Sequence, residues 1–146
     1  MRSRRGMTML EVIVAVALSS AVIMTGYQLF YSVMQTERIE SRRDSMMNDV
    51  QNMMNRIKSD VRAGSSVSGG GGSLAITGPS GTITYRNMKN GTGMERVTSR
   101  GTAKHEGLAA QFSVRGRGAE ITLSSRDTMY RRPITVEISS FALHRN

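Results

Sequence analysis

Cysteine is absent from the 146 residues, which excludes a disulfide framework and any thiolate metal site. Histidine is almost as scarce. His105 and His144 stand apart, and neither has a carboxylate or a second histidine at ligand spacing, since Glu106 merely adjoins His105. Both are expected in solvated loop or tail positions, and no metal site is expected. Asp127 and Glu137 are isolated, so neither a carboxylate pair nor a calcium loop can be built around them. Serines crowd the Gly-rich turns, but no GxSxG elbow occurs. The glycine run near residue 70 is not followed by GK[ST] or by a helix, so it does not read as a phosphate cradle. No catalytic residue and no cofactor are indicated, and the chain is not expected to be an enzyme. Acidic residues are also in deficit, with 11 against 20 lysines and arginines, for a formal charge of +9.

What is present is concentrated at the start. Arg2, Arg4 and Arg5 precede Gly6-Met7-Thr8-Met9-Leu10-Glu11, and an aliphatic run begins at once with Val12. Glu11 is the only charge in that hydrophobic helix. A carboxylate within a spanning helix costs about 2.5–3.5 kcal/mol on insertion scales, so it normally has a partner. A cut after Gly6 would supply one, because Met7 would gain a free amino group and Glu11 lies four residues further along the same helical face. That amine, on this subunit or a neighbour, can neutralise the carboxylate. Two simpler arrangements share the charged start and apolar centre. A secretory signal peptide could end at residues 15–17 or 19–21, although a glutamate would be a poor opening for its apolar region. An uncleaved anchor could use residues 7–30, since about 20 residues suffice to cross a bilayer. Both leave the Gly6/Glu11 spacing to chance.

The Arg-rich leader, Gly6, Thr8, Leu10, Glu11 and the aliphatic helix resemble the class III signal of type IV pilins and type II secretion pseudopilins. The specific match covers about the first 25 residues. The resemblance implies cleavage after Gly6 by prepilin peptidase, N-methylation of Met7, and pairing of Glu11 with the terminal amine of an adjacent subunit. Met7 departs from the phenylalanine usual in major pilins, and Glu11-Val12 lacks the Glu-Tyr pair of small Flp-type pilins. Absence of cysteine also removes the C-terminal disulfide loop of many major pilins.

The helix is expected to continue beyond the span, because no proline or glycine interrupts residues 27–63. Met46, Met47, Val50, Met53, Met54, Ile57 and Val61 form a helical stripe, with charges on the other faces. The stripe reads as the face covered by the sheet of its own domain rather than as an adaptable methionine surface for a partner. Arg56, Lys58 and Arg62 suit a helix C-terminus, and Gly64 suits the position after it. A helix over 7–62 would extend about 84 Å. Residues 64–73 (GSSVSGGGGS) read as a flexible linker. Strands are then predicted at 74–77, 82–88, 94–99, 108–115, 119–124 and 133–143, with turns at 78–81, 90–93 and 116–118. The expected fold is α+β: a long N-terminal helix, its first half transmembrane, packed on a C-terminal antiparallel β-sheet. The expected segments are a leader (1–6), a transmembrane or fibre-core helix (7–30), its amphipathic continuation (31–63), the linker (64–73) and the β domain (74–146).

Tyr85-Arg86, a turn, and Met94-Glu95-Arg96 resemble a hairpin of J-type minor pseudopilins and related minor pilins, and Gln28 stands where major pilins often carry a kinking proline. The resemblance therefore implies a minor subunit of a pilus or secretion pseudopilus. Its partners would be prepilin peptidase, other pilins met through their N-terminal helices, an inner-membrane assembly platform and membrane lipid. The leader arginines place the N-terminus in the cytoplasm by the positive-inside rule and export the rest. The expected location is thus the inner membrane as a single-pass protein, then the fibre. Without the leader the charge is still +6, from 17 basic and 11 acidic side chains. Arg115, Arg117, Arg126, Arg131 and Arg132 are candidate contacts for DNA or another polyanion. A DNA-binding subunit of a competence pseudopilus is therefore the alternative, followed by a membrane-anchored extracytoplasmic binding protein.

Overall fold

A computed structural model describes residues 8–144. Among these residues the elements are one helix, α1 (Met9–Ala63), followed by eight strands. The strands are β1 (Ser66–Gly71), β2 (Ser73–Gly78), β3 (Gly81–Asn87), β4 (Gly93–Thr98), β5 (Gly101–Glu106), β6 (Leu108–Arg115), β7 (Gly118–Met129) and β8 (Arg132–Leu143). The chain divides into two compact units, with the boundary inside α1 between Glu40 and Ser41. The α+β class expected from the sequence is the class observed.

In the second unit, residues 41–63 of α1 lie on an antiparallel sheet of order β5-β4-β3-β2-β1-β6-β7-β8. The methionine stripe is the covered face: Met46, Val50, Met53, Met54, Ile57 and Val61 are all buried, while Met47 is half-buried at its edge. The sheet contributes alternate residues, as a one-sided pleat requires. Leu74 and Ile76 come from β2, Tyr85 and Met94 from β3 and β4, Leu108, Ala110 and Phe112 from β6, and Ile121 and Leu123 from β7. Burying each large aliphatic side chain contributes about 1.5–3 kcal/mol.

Two sequence expectations are corrected here. Residues 64–73 are not a loose linker. Residues 66–71 form β1, paired with β2 over five residues and with β6 at Gly70–Ser113 and Gly71–Phe112. The glycines serve geometry rather than flexibility: Gly69 has φ 127°, and a Cβ there would lie 2.5 Å from the Ser73 carbonyl oxygen. Gly64 follows the helix as expected, but its use is a close approach, since a Cβ would meet Ile76 Cγ2 at 2.5 Å. The second correction is β5, which the sequence did not reveal. Its residues (GTAKHE) are exposed or half-buried and carry no apolar alternation. Backbone pairing with β4 holds them in the sheet.

The chain passes from β5, at one edge, to β6, five places away in the sheet order, through the single residue Gly107. This requires the two blocks, β1–β5 and β6–β8, to come together at that end. Asn87 joins them. Its side-chain Nδ2 donates to the Ala110 carbonyl at 2.8 Å, and its Oδ1 accepts from Ala110 N at 2.9 Å. The amide thus continues, with side-chain atoms, the pairing that β1 stops making with β6.

Candidate functional site

The N-terminal unit presents an apolar surface with almost nothing buried. Every residue from 8 to 34 is exposed, and Val22 and Ile23 are each 72% accessible. α1 is long and apolar enough there to cross a membrane. Three of its hydroxyls are satisfied within the helix: Ser20, Thr25 and Thr36 donate to the carbonyls of Val16, Ala21 and Ser32 at 2.8–3.0 Å. Internal satisfaction of this kind is what a helix in hydrocarbon needs. Tyr27 and Tyr31 stack one turn apart, with centroids 6.5 Å from each other.

Thr8 and Glu11 build the start of the helix. The Thr8 carbonyl accepts the first helical bond, from Val12 N at 3.2 Å. Thr8 Oγ1 accepts from Glu11 N at 3.3 Å, and Glu11 Oε2 accepts from Thr8 N at 3.1 Å and from Thr8 Oγ1 at 3.3 Å. This is a reciprocal capping box, which satisfies two backbone donors that a helix N-terminus otherwise leaves open. The Thr-x-x-Glu spacing carries that signal in the sequence, where the charge of Glu11 drew attention instead. Both bonds that the carboxylate accepts from Thr8 use Oε2, and an ionised carboxylate has acceptor sites for further donors. Gly6, Met7, Arg2, Arg4 and Arg5, the other candidate residues of the signal, lie outside the described residues.

The five candidate polyanion residues do not form one patch. Arg115 ends β6 and Arg117 occupies the β6–β7 turn, whereas Arg126 sits toward the opposite end of β7, Arg131 in the β7–β8 turn and Arg132 at the start of β8. Nine residues along β7, about 30 Å of strand, separate Arg117 from Arg126, the nearest members of the two groups. Arg115 approaches Glu120 at 3.8 Å.

Other basic residues are paired with carboxylates of the second unit. Arg86 pairs with Glu95 across the β3–β4 hairpin at 2.5 Å. Arg96, opposite Tyr85, reaches α1: its Nη2 lies 2.9 Å from Asp60 Oδ2, and its Nε lies 3.0 Å from the Tyr85 hydroxyl. The Tyr85 hydroxyl donates to the same Asp60 oxygen at 2.5 Å. Burial, reinforced by the Asp60 carboxylate, pushes the Tyr85 phenol far above its ordinary value. Burial opposes the Arg96 charge, but hydrogen bonding to Tyr85 and Asp60 outweighs it and raises the guanidinium further. Nothing in the linear spacing of residues 60, 85 and 96 announces this cluster.

A second polar region is a cavity of about 470 Å³ beside α1, lined by Arg42, Asp49, His105, Ser125 and Asp127 among others. Arg42 Nε holds Asp127 Oδ2 at 2.7 Å, and this bond, aided by Thr128 N, lowers the Asp127 carboxyl. His105 belongs to β5, not to a solvated loop, and its Nε2 is buried without a hydrogen-bond partner among the described residues. Burial, with Arg56 and Arg96 nearby, lowers its pKa and favours the neutral ring. His144 follows β8, and its Nδ1 is likewise buried with no hydrogen-bond partner among the described residues.

Residues 1–27 match the prokaryotic N-terminal methylation motif. No curated protein and no solved structure matches the chain significantly. The motif is the class III prepilin signal, consistent with a type IV pilin-like protein. It ends inside the exposed apolar half of α1. Signal and helix together point to single-pass anchoring in the inner membrane.

Proposed function

We propose that this chain is a minor pilin or pseudopilin, cut after Gly6, N-methylated at Met7 and assembled through residues 7–30 into a type IV pilus-like or secretion fibre. The observation that carries the reading is the methylation motif over residues 1–27 running directly into a helix with its apolar side chains exposed. Such a surface needs lipid before assembly and neighbouring helices after it. Glu11 then serves twice, as the cap of its own helix and as the acceptor of a neighbour's methylated amine. The minor-subunit assignment draws its support from the β3–β4 hairpin, whose register places Tyr85 opposite Arg96 and Arg86 opposite Glu95. The second unit supplies the globular part, exported by the leader arginines.

The test is intact mass and N-terminal sequencing of the protein purified from its host membrane. N-methyl-Met7 is the expected start, and Gly6→Leu is expected to leave the leader attached. A retained Met1 in the unaltered protein would reduce it to a membrane anchor. A start beyond Ala17 would make it a secreted domain.

A further inference from the structure

We propose that His105 is an acid-sensitive latch within the second unit. While its ring is neutral it holds the edge strand β5 against α1, and protonation releases that strand.

The strand itself is the first observation. β5 ends the sheet on its side and pairs with β4 alone. Every residue of β5 is exposed except His105, which is half-buried. The side-chain packing that ties β5 to the core is therefore concentrated in one residue. Across the ladder His105 stands opposite Met94, which is fully buried. Glycines with positive φ bound the strand, Gly101 at 145° and Gly107 at 74°. Glycine adopts either sign of φ readily, so both ends can serve as hinges.

The surroundings of the ring are the second observation. Nε2 is buried without a hydrogen-bond partner among the described residues. A neutral ring has one N–H to satisfy, whereas an imidazolium has two and carries a full charge. Burying a charge without a partner is costly. The two charges that act on the ring are both positive, Arg56 of α1 and Arg96 of β4, and Arg96 is itself fixed by Asp60. The remaining charged groups on this side line the adjoining cavity: Arg42 and Asp49 of α1, Glu106 of β5, and Arg126 and Asp127 of β7. Asp127 is held by Arg42, and neither Asp49 nor Glu106 bonds Nε2. Among the described residues, no acceptor meets the N–H that protonation would add there.

The direction of the effect follows from linkage. Burial, with Arg56 and Arg96, lowers the pKa of the ring in the closed form, whereas a released ring titrates near its ordinary value of about 6.5. The released form therefore binds the proton more tightly. The closed form is fully favoured above that pH and loses ground as pH falls, by at most about tenfold per pH unit, until the closed ring itself titrates. Carboxylates ordinarily titrate lower, at about 3.9–4.3, so histidine dominates the upper part of this window. Release would leave β4 as the edge of the sheet, with Met94 uncovered and a row of backbone groups open to pairing.

The test is hydrogen exchange of the detergent-solubilised full-length protein between pH 5 and 7.5, read by mass spectrometry. Rates are corrected for the pH dependence of exchange in unstructured peptides, so that protection reports the open fraction. Protection of residues 101–106 is expected to fall by up to about tenfold per pH unit below about 6.5, while residues 118–143 keep theirs. His105→Gln, which cannot titrate, should flatten the fall. Arg56→Glu, which offers the imidazolium a carboxylate, should flatten it too, and His144→Gln should not. Arg56 is exposed, so its variant keeps the test available if His105→Gln does not fold. Constant protection of β5 across the range would overturn the proposal. A fall that persists in His105→Gln, or in Arg56→Glu should the glutamine variant not fold, would overturn it as well. So would a parallel loss in β7 and β8, which would mark acid unfolding of the whole unit.

Discussion

The two parts of α1 are both rich in apolar residues, yet one buries a stripe and the other buries nothing. Met46, Val50, Met53, Met54, Ile57 and Val61 are 0–4% accessible, whereas Val16, Val22, Ile23 and Met24 are 60–72% accessible. The difference lies in arrangement. Residues 41–63 place apolar groups on one face and charges on the others, so a single sheet can satisfy them. Residues 12–34 are apolar all round, and only a surrounding medium or a ring of other helices can cover them. Amphipathic helix calls for a partner within the chain; uniformly apolar helix calls for one outside it.

The largest test of that contrast concerns the lone carboxylate of the apolar part. Glu11→Ala is expected to leave cleavage intact and reduce fibre incorporation on the order of 100-fold, by analogy with the cost of an unpaired intramembrane charge. Glu11→Gln separates the two roles of the side chain, because glutamine also serves in a capping box. Incorporation as poor as that of Glu11→Ala would assign the effect to charge, and recovery to wild-type levels would assign it to the cap. Quantitative blotting of sheared fibres reads both.

Ile57→Ala should lower the stability of the second unit by about 2–4 kcal/mol, as cavity-forming substitutions of buried isoleucine do. Ile23→Ala should leave that unit's unfolding midpoint unchanged. Equal losses in urea titrations of the detergent-solubilised proteins would mean that the two stretches do not differ as described.

A smaller effect comes from the Asp60–Tyr85–Arg96 cluster. The folded-state pKa of Tyr85 is raised, so the folded form keeps its proton where the unfolded form has lost it. The associated stability is fully present below the unfolded value, about 10, and falls as pH climbs above it. Tyr85→Phe should flatten this alkaline loss while lowering neutral-pH stability by about 1 kcal/mol for the missing hydrogen bond. Thermal melts between neutral pH and pH 11 would reveal either slope. The smallest change is expected at the β7–β8 turn, where Tyr130 and Arg131 hold φ of 51° and 61°. Tyr130→Asn/Arg131→Gly should stabilise the second unit by up to about 1 kcal/mol by relieving positive-φ strain. A loss of stability there would show that the two side chains hold the fold rather than merely decorate it.

Much of the fold was legible because burial and period coincide. The methionine stripe is covered by its own sheet, and β6, β7 and β8 announce themselves through Phe112, Ile121, Leu123, Ile134 and Val136. Polar strand ends were hidden: β7 runs on through Ser125, Arg126, Asp127 and Thr128, where no apolar alternation continues. β5 escaped notice for the same reason, and β1 because its glycines mimic a linker. For the candidate site, the Gly6–Glu11 spacing was visible since it is local. The union of residues 60, 85 and 96, and the separation of Arg115 and Arg117 from Arg126, Arg131 and Arg132, depend on strand order, which a linear sequence does not display.

The attachments along the second part of α1 have a mechanical consequence. Arg42 fastens to Asp127 near one end and Asp60 to Tyr85 and Arg96 near the other, about 27 Å apart along the helix. A load drawn along α1, such as extraction of its apolar part from lipid, meets these bonds and the intervening stripe side by side rather than one after another. Bonds loaded in shear share the force, whereas bonds unzipped in series fail singly. Resistance of the second unit to such a pull is set by its unfolding rate under force. The design transmits tension into the globular part without first peeling the helix from its sheet.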